Sequence, residues 1–111
     1  MSEVVDRLCS GWHEVEASRA ATAAELKEQL ERGFVLLRFP TTRGGTELGF
    51  EVTRSSAQND GVDFERPLGS VTIVGDLSLD FVLVQCVAEI DLETLRGRGR
   101  LQRIAGREED A

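Results

Sequence analysis

The sequence predicts an α+β domain: an antiparallel sheet of four to five strands, one main helix packed on it, and a short N-terminal helix. Three observations predict it. Residues 22–32 carry a full set of helix signals. Residues 46–53 and 82–92 alternate apolar with polar side chains. The order helix, strand, strand, loop, strand, strand does not repeat a βαβ unit, which disfavours a doubly wound parallel sheet.

The N-terminal helix is read over residues 2–10, with Val4, Leu8 and Trp12 at fourfold spacing and Val5 and Cys9 beside them; Gly11 ends it. Residues 12–17 read as a short strand or a loop. The main helix opens on Thr22-Ala-Ala-Glu25, the spacing of a capping box. Ala23, Leu26 and Leu30 form its apolar stripe, and Gly33 stops it. Residues 34–39 are a buried strand by β-branched and aromatic content, ended by Pro40. Arg43-Gly-Gly reads as a hairpin connection rather than a phosphate loop, because no Gly-Lys-Ser/Thr follows. Leu48, Phe50 and Val52 then share one strand face.

Residues 54–69 form a long polar connection containing Asn-Asp-Gly, of the length that marks a functional or mobile segment. Residues 70–74 are the next strand, with Gly75-Asp76 as a bulge or turn. From Phe81 onward Val82, Val84, Cys86, Ala88, Ile90 and Leu92 occupy one face without a break. The opposite face ends acidic, with Glu89, Asp91 and Glu93. Arg-Gly-Arg-Gly-Arg over 96–100 reads as a non-helical turn region, with strand pairing beginning at Leu101.

The 111 residues make one domain, assigned to 1–107, followed by a charged tail over 108–111. Twenty acids against thirteen bases give a net charge of −7, which opposes binding to nucleic acid and anionic lipid. The basic excess is confined to residues 96–107, which hold five Arg and no acid. No apolar run reaches the roughly 20 residues of a membrane span. The N-terminal residues lack a cationic start and apolar core, so a cytoplasmic location is expected.

Catalytic patterns are thin. His13 is the sole histidine, and Gly11 separates it from Cys9, so a nucleophile–base pair is disfavoured. Cys9 and Cys86 form no CxxC pair, and Cys86 sits in an apolar run as a core residue. The row Glu89, Asp91, Glu93 can hold a hard cation, but it equally matches an arginine row across the sheet. No metal site and no cofactor are expected.

The leading functional expectation is a non-catalytic protein-interaction module: a small accessory, regulatory or assembly subunit. Its warrant is apolar residues on both faces of the strands at 70–90, more than one helix can cover, which also suggests a homodimer. Arg96, Arg98 and Arg100 alternate on one side of an extended chain and are the interaction candidates. The alternative is a small-ligand-binding protein or small enzyme with a cavity near Arg38 and Gln85, polar side chains inside apolar strands. The second alternative is nucleic-acid binding through the Arg-Gly segment, weakened by its shortness, its lack of aromatics and the acidic bulk.

Overall fold

The unbroken alternation Val84, Cys86, Ala88, Ile90 forces a long strand with one fully buried face, and all four side chains are completely inaccessible. That strand belongs to a closed wall rather than an open sheet. The structure, a computed structural model, describes residues 3–42, 45–57, 61–79 and 81–104. In order these form α1 (Glu3–Cys9), β1 (His13–Ala17), α2 (Ala23–Arg32), β2 (Phe34–Phe39), β3 (Thr46–Ser55), β4 (Ser70–Leu79), β5 (Val82–Asp91) and β6 (Arg96–Arg103). Every strand pairs antiparallel with the next, and β1 pairs with β6, closing a six-stranded up-and-down barrel.

The expected open sheet with one main helix across it is therefore incorrect, and the domain is not α+β. The physical reason lies in β1. Residues 13–17 pair on one side with β6 (His13 opposite Gly99, Glu16 opposite Arg96) and on the other with β2 (Glu16 opposite Arg38). This five-residue strand removes both free edges of the sheet. The face that a covering helix was expected to shield becomes the barrel lumen. It is filled by Val15, Val35, Leu37, Phe39, Phe50, Ile73, Cys86, Ile90 and Leu101, each at most 1% exposed. Closure covers the face and pairs the edges on which a sheet-mediated homodimer was expected to form.

The helices attend to the barrel ends. α1 precedes β1 at the end where β6 finishes, and packs on β6 with Val5 and Leu8 fully buried. Asp6 pairs with Arg103 there. α2 bridges the opposite end, between β1 and β2, and adds Ala23 and Leu26 to the core. Its capping box forms: the Thr22 hydroxyl accepts from the Glu25 N–H at 3.2 Å, and the Glu25 carboxylate accepts from the Ala21 N–H at 2.7 Å. Gly33, at φ 80°, ends it in the left-handed conformation.

Three strand boundaries differ from expectation, the first being that of β3, which runs two residues further, to Ser55. β4 runs straight through Gly75-Asp76 to Leu79, and the bulge lies instead in β3, between Val52 and Arg54. Gly75 faces the lumen, where the Phe50 ring occupies the space a Cβ would need. β6 begins at Arg96, so Arg-Gly-Arg-Gly-Arg is strand, and the reversal is confined to residues 92–95. Gly97 and Gly99 are its inward positions. An added Cβ at Gly97 would overlap the Glu89 carbonyl, and one at Gly99 would lie 3.0 Å from Val15. The glycines serve close packing of the wall, not flexibility.

Arg54 and Ser55 pair within β3, so the connection is 56–69; within it Asp63 and Leu68 exchange backbone hydrogen bonds and Phe64 is buried. Residues 58–60 of that connection, residues 43–44 of the Arg-Gly-Gly hairpin and the tail 108–111 lie outside the described residues.

The β1–β2 seam is the shortest, with two register pairs against ten for β4–β5. Beyond Ala17 the side chain of Gln29 takes over from the missing strand. Its Oε1 accepts from the Leu36 N–H at 3.2 Å, and its Nε2 donates to the carbonyls of Ser18 (3.2 Å) and Arg19 (3.4 Å). Gln29→Ala leaves these strand groups without partners and is expected to cost about 1–3 kcal/mol. Urea denaturation should show a lower midpoint with unchanged slope, and amide exchange at Leu36 should accelerate.

Candidate interaction face

Outward-facing residues of neighbouring strands line up in rows across the wall, and the rows differ sharply in chemistry. One row reads Glu47, Arg38, Glu16, Arg96, Asp91 across β3, β2, β1, β6 and β5, alternating in charge at every step. The next reads Glu14, Arg98, Glu89. Ion pairs form within both: Arg38 with Glu16 at 3.7 Å and Arg98 with Glu89 at 3.5 Å. Exposed pairs of this kind contribute about 0–1 kcal/mol each, but opposite charges directly across strands also fix the register.

The third row breaks the pattern. Arg100 lies opposite Val87 on β5, Val87 lies opposite Val74 on β4, and Val74 lies opposite Arg54 on β3. On the other side of Arg100 stands Trp12, just before β1 and 46% exposed. The Arg100 guanidinium carbon is 5.8 Å from the Trp12 ring centroid and that of Arg98 is 4.9 Å away. Two guanidiniums thus flank one indole, each contact contributing about 0.5–1 kcal/mol at an exposed site. Among the described residues no carboxylate lies within ion-pair distance of Arg100 or Arg54. Val74 is 7% exposed although it faces outward. Beside it a groove of about 380 Å³ is lined by Arg54, Ser55, Ser56, Thr72 and Val74.

Two buried side-chain polar atoms among the described residues lack a hydrogen-bond partner: Arg100 Nε, in this row, and Asp76 Oδ1, in the row beyond it. Asp76 lies opposite Gln85, two residues from Val87. Both atoms therefore sit on the same side of the barrel, around the apolar Val74–Val87 step. An unsatisfied buried polar group costs about 1–3 kcal/mol, which an incoming donor or acceptor would remove.

The predicted ligand residues Arg38 and Gln85 are not brought together. Both point outward, on β2 and β5, and two strands separate β2 from β5 in either direction around the barrel. They share no cavity. Arg38 is matched by Glu16 and Glu47, and Gln85 lies between Asp76 and Gln102. The three arginines do fall on one side of one strand. Arg98 and Arg96 meet Glu89 and Asp91, while Glu93 lies in the turn and meets none of them. Trp12 was missed. Its signal was the polar–apolar–polar order Glu14, Val15, Glu16, which identifies a strand immediately after it.

The remaining chemical groups are accounted for locally. His13 Nε2 donates to the Arg7 carbonyl at 2.8 Å, which fixes its tautomer. Both cysteines are free thiols. Burial raises the Cys9 thiol pKa, against the opposing pull of Arg103 and Arg100, and pushes that of Cys86 up to about 12. Neither is an activated nucleophile. The Asp91 carboxylate caps the following turn, accepting from the Glu93 N–H at 2.7 Å. Among the described residues no three of His, Cys, Asp and Glu converge to hold a metal ion. No helix among them is long and apolar enough to cross a membrane. The lumen is apolar and the outer wall carries charged rows, the inverse of a membrane-spanning barrel. No family model matches the chain, and no curated protein matches it.

Proposed function

We propose that this barrel is a non-catalytic protein-interaction module that docks an acidic segment of a partner protein on the outer wall of β4, β5 and β6, beside Trp12. The observation that carries the reading is the third row. There Arg100 stands between Trp12 and Val87, where the two preceding rows, those of Arg96 and Arg98, place carboxylates, and its Nε is buried without a partner. A partner carboxylate supplies the acceptor that the row lacks, and apolar side chains beside it cover Val74 and Val87. Asp76 Oδ1 is positioned to accept a partner N–H. Closure of the barrel leaves no free sheet edge for strand addition, so recognition runs through side chains. Phosphate is the poorer ligand. Glu14, Glu16, Glu89 and Asp91 border the arginines, and the net charge of −7 repels a polyanion.

Trp12 is the chain's single tryptophan and there is no tyrosine, so intrinsic fluorescence reports this site alone. A peptide of glutamates interspersed with leucines should shift the emission saturably. Arg100→Ala should weaken that binding about tenfold, equivalent to ~1.4 kcal/mol, and more at low salt than at high salt. No response to the peptide would overturn the reading. Tight binding of random RNA or DNA at about 150 mM salt, lost when Arg96, Arg98 and Arg100 are all alanine, would overturn it in favour of a nucleic-acid interface.

A further inference from the structure

Beyond the row of Arg100 the wall changes sign. The fourth row runs Glu51, Asp76, Gln85, Gln102 across β3, β4, β5 and β6. Two carboxylates therefore stand directly opposite each other on paired strands, an arrangement that destabilises a sheet. Among the described residues no Lys or Arg lies within ion-pair distance of Glu51 or Asp76. Arg54 shares a strand with Glu51, but it is exposed and belongs to the preceding row, opposite Val74. Gln85 stands on the other side of Asp76, yet Asp76 Oδ1 is buried without a hydrogen-bond partner. The barrel's own side chains thus leave this carboxylate pair uncompensated, on the same face where Arg100 Nε is an unmatched donor.

The two unmet groups have opposite sign and a fixed separation. Arg100 is on β6 and Asp76 on β4, two strands across and one row further along. At about 4.8 Å between strands and about 3.4 Å per residue, the offset is about 12 Å. An extended chain advances about 3.4 Å per residue and turns alternate side chains to one side, so positions i and i+4 span that offset and i+2 falls between them. Between the two groups lies the Val74–Val87 step. It is one row wide, bounded by Thr72 and Glu89 on one side and by Asp76 and Gln85 on the other. That width takes one apolar side chain of an extended segment, not the apolar stripe of several turns that a helix presents.

We infer that the partner segment is extended and carries an acid, an apolar residue and a Lys or Arg at alternate positions. The acid meets Arg100, the apolar side chain covers Val74 and Val87, and the cation meets Asp76 and Glu51. The segment is the one proposed above to dock on this face, so its pattern stands only if that docking does. A cation there gives Asp76 Oδ1 a charged donor and relieves the like-charge opposition with Glu51. It also offsets the repulsion between an acidic segment and a chain of net charge −7.

The test compares three short peptides, flanked by serines and free of tryptophan and tyrosine, by the fluorescence of Trp12. The first holds Glu-Ser-Leu-Ser-Lys. The second has Gln in place of Lys. The third holds Glu-Ser-Leu-Lys-Ser, in which the cation points away from the wall. The first should bind the native chain about tenfold more tightly than either of the others. Asp76→Asn should erase that gap without weakening the second peptide. Glu51→Gln, a change at an exposed position that spares the fold, should narrow the gap about threefold. Arg100→Ala should weaken all three. Equal binding of the first and second peptides, equal binding of the first and third, or a gap that survives both carboxylate substitutions overturns the pattern and leaves the acidic dock standing. No response to any of the three peptides overturns the dock itself, and the pattern with it.

Discussion

Gly97→Val is expected to abolish stable folding. Gly97 is the second residue of β6, and a Cβ there would overlap the Glu89 carbonyl of the paired strand. That carbonyl is backbone and cannot rotate away as a flexible side chain would. The substitution must either push β5 from β6 or shift their register, and a one-residue shift would turn Val84, Cys86, Ala88 and Ile90 outward. Overpacking typically costs about 1–3 kcal/mol and more where backbone must move. Against a domain stability of roughly 5–15 kcal/mol, the fold should be lost or reduced to a loosely packed state. Gly61→Ala is the control: nothing lies within 4 Å of its added Cβ, and its denaturation midpoint should stay near the native value. Circular dichroism and urea titration of the two variants make the comparison.

Phe50→Ala should be nearly as damaging. Phe50 is 1% exposed and is among the largest fully buried side chains of the lumen. Its ring fills the space left by Gly75 on the neighbouring strand. Truncation removes apolar burial and leaves a cavity that a closed wall cannot collapse to fill, at a cost of about 3–5 kcal/mol. Thermal melting should show a large fall in midpoint with the β-rich spectrum retained below it. A loss under ~1 kcal/mol would show that the lumen is far more plastic than its packing implies.

Much of the wall was legible residue by residue. The face carrying Val84, Cys86, Ala88 and Ile90 was readable because each inward position bears an apolar side chain. The α2 boundaries were readable because Thr22, Glu25 and Gly33 act locally, within a few residues of one another. β6 was misread for the opposite reason. Its inward positions are glycines, so no hydrophobic alternation marks Arg96 to Arg100 as strand. Closure was not legible because it depends on β1, whose five residues carry a single inward apolar side chain, Val15, and on partners far away in sequence. The same limits shaped the site. Alternation alone put Arg96, Arg98 and Arg100 on one side of the chain. Which of them lacked a carboxylate opposite depended on the register with β1 and β5. Arg38 and Gln85 stood out in the sequence as polar positions in apolar strands. Their outward direction and their places on opposite walls follow only from the closed topology.

The pairing of His13 with Gly99 also sets the order in which the chain can acquire its structure. The β4–β5 hairpin joins ten residue pairs across a two-residue connection, so it forms early at little cost in chain entropy. The β1–β6 ladder unites segments separated by most of the sequence, and its contacts stabilise the chain only after the other five strands are aligned. Closure should therefore be the last and slowest event of folding. Until it occurs, β6 and β2 present unpaired edges to other chains. Substitutions in β1, such as Val15→Ala, should accelerate unfolding while leaving the folding rate almost unchanged, whereas substitutions in the β4–β5 hairpin should slow folding itself.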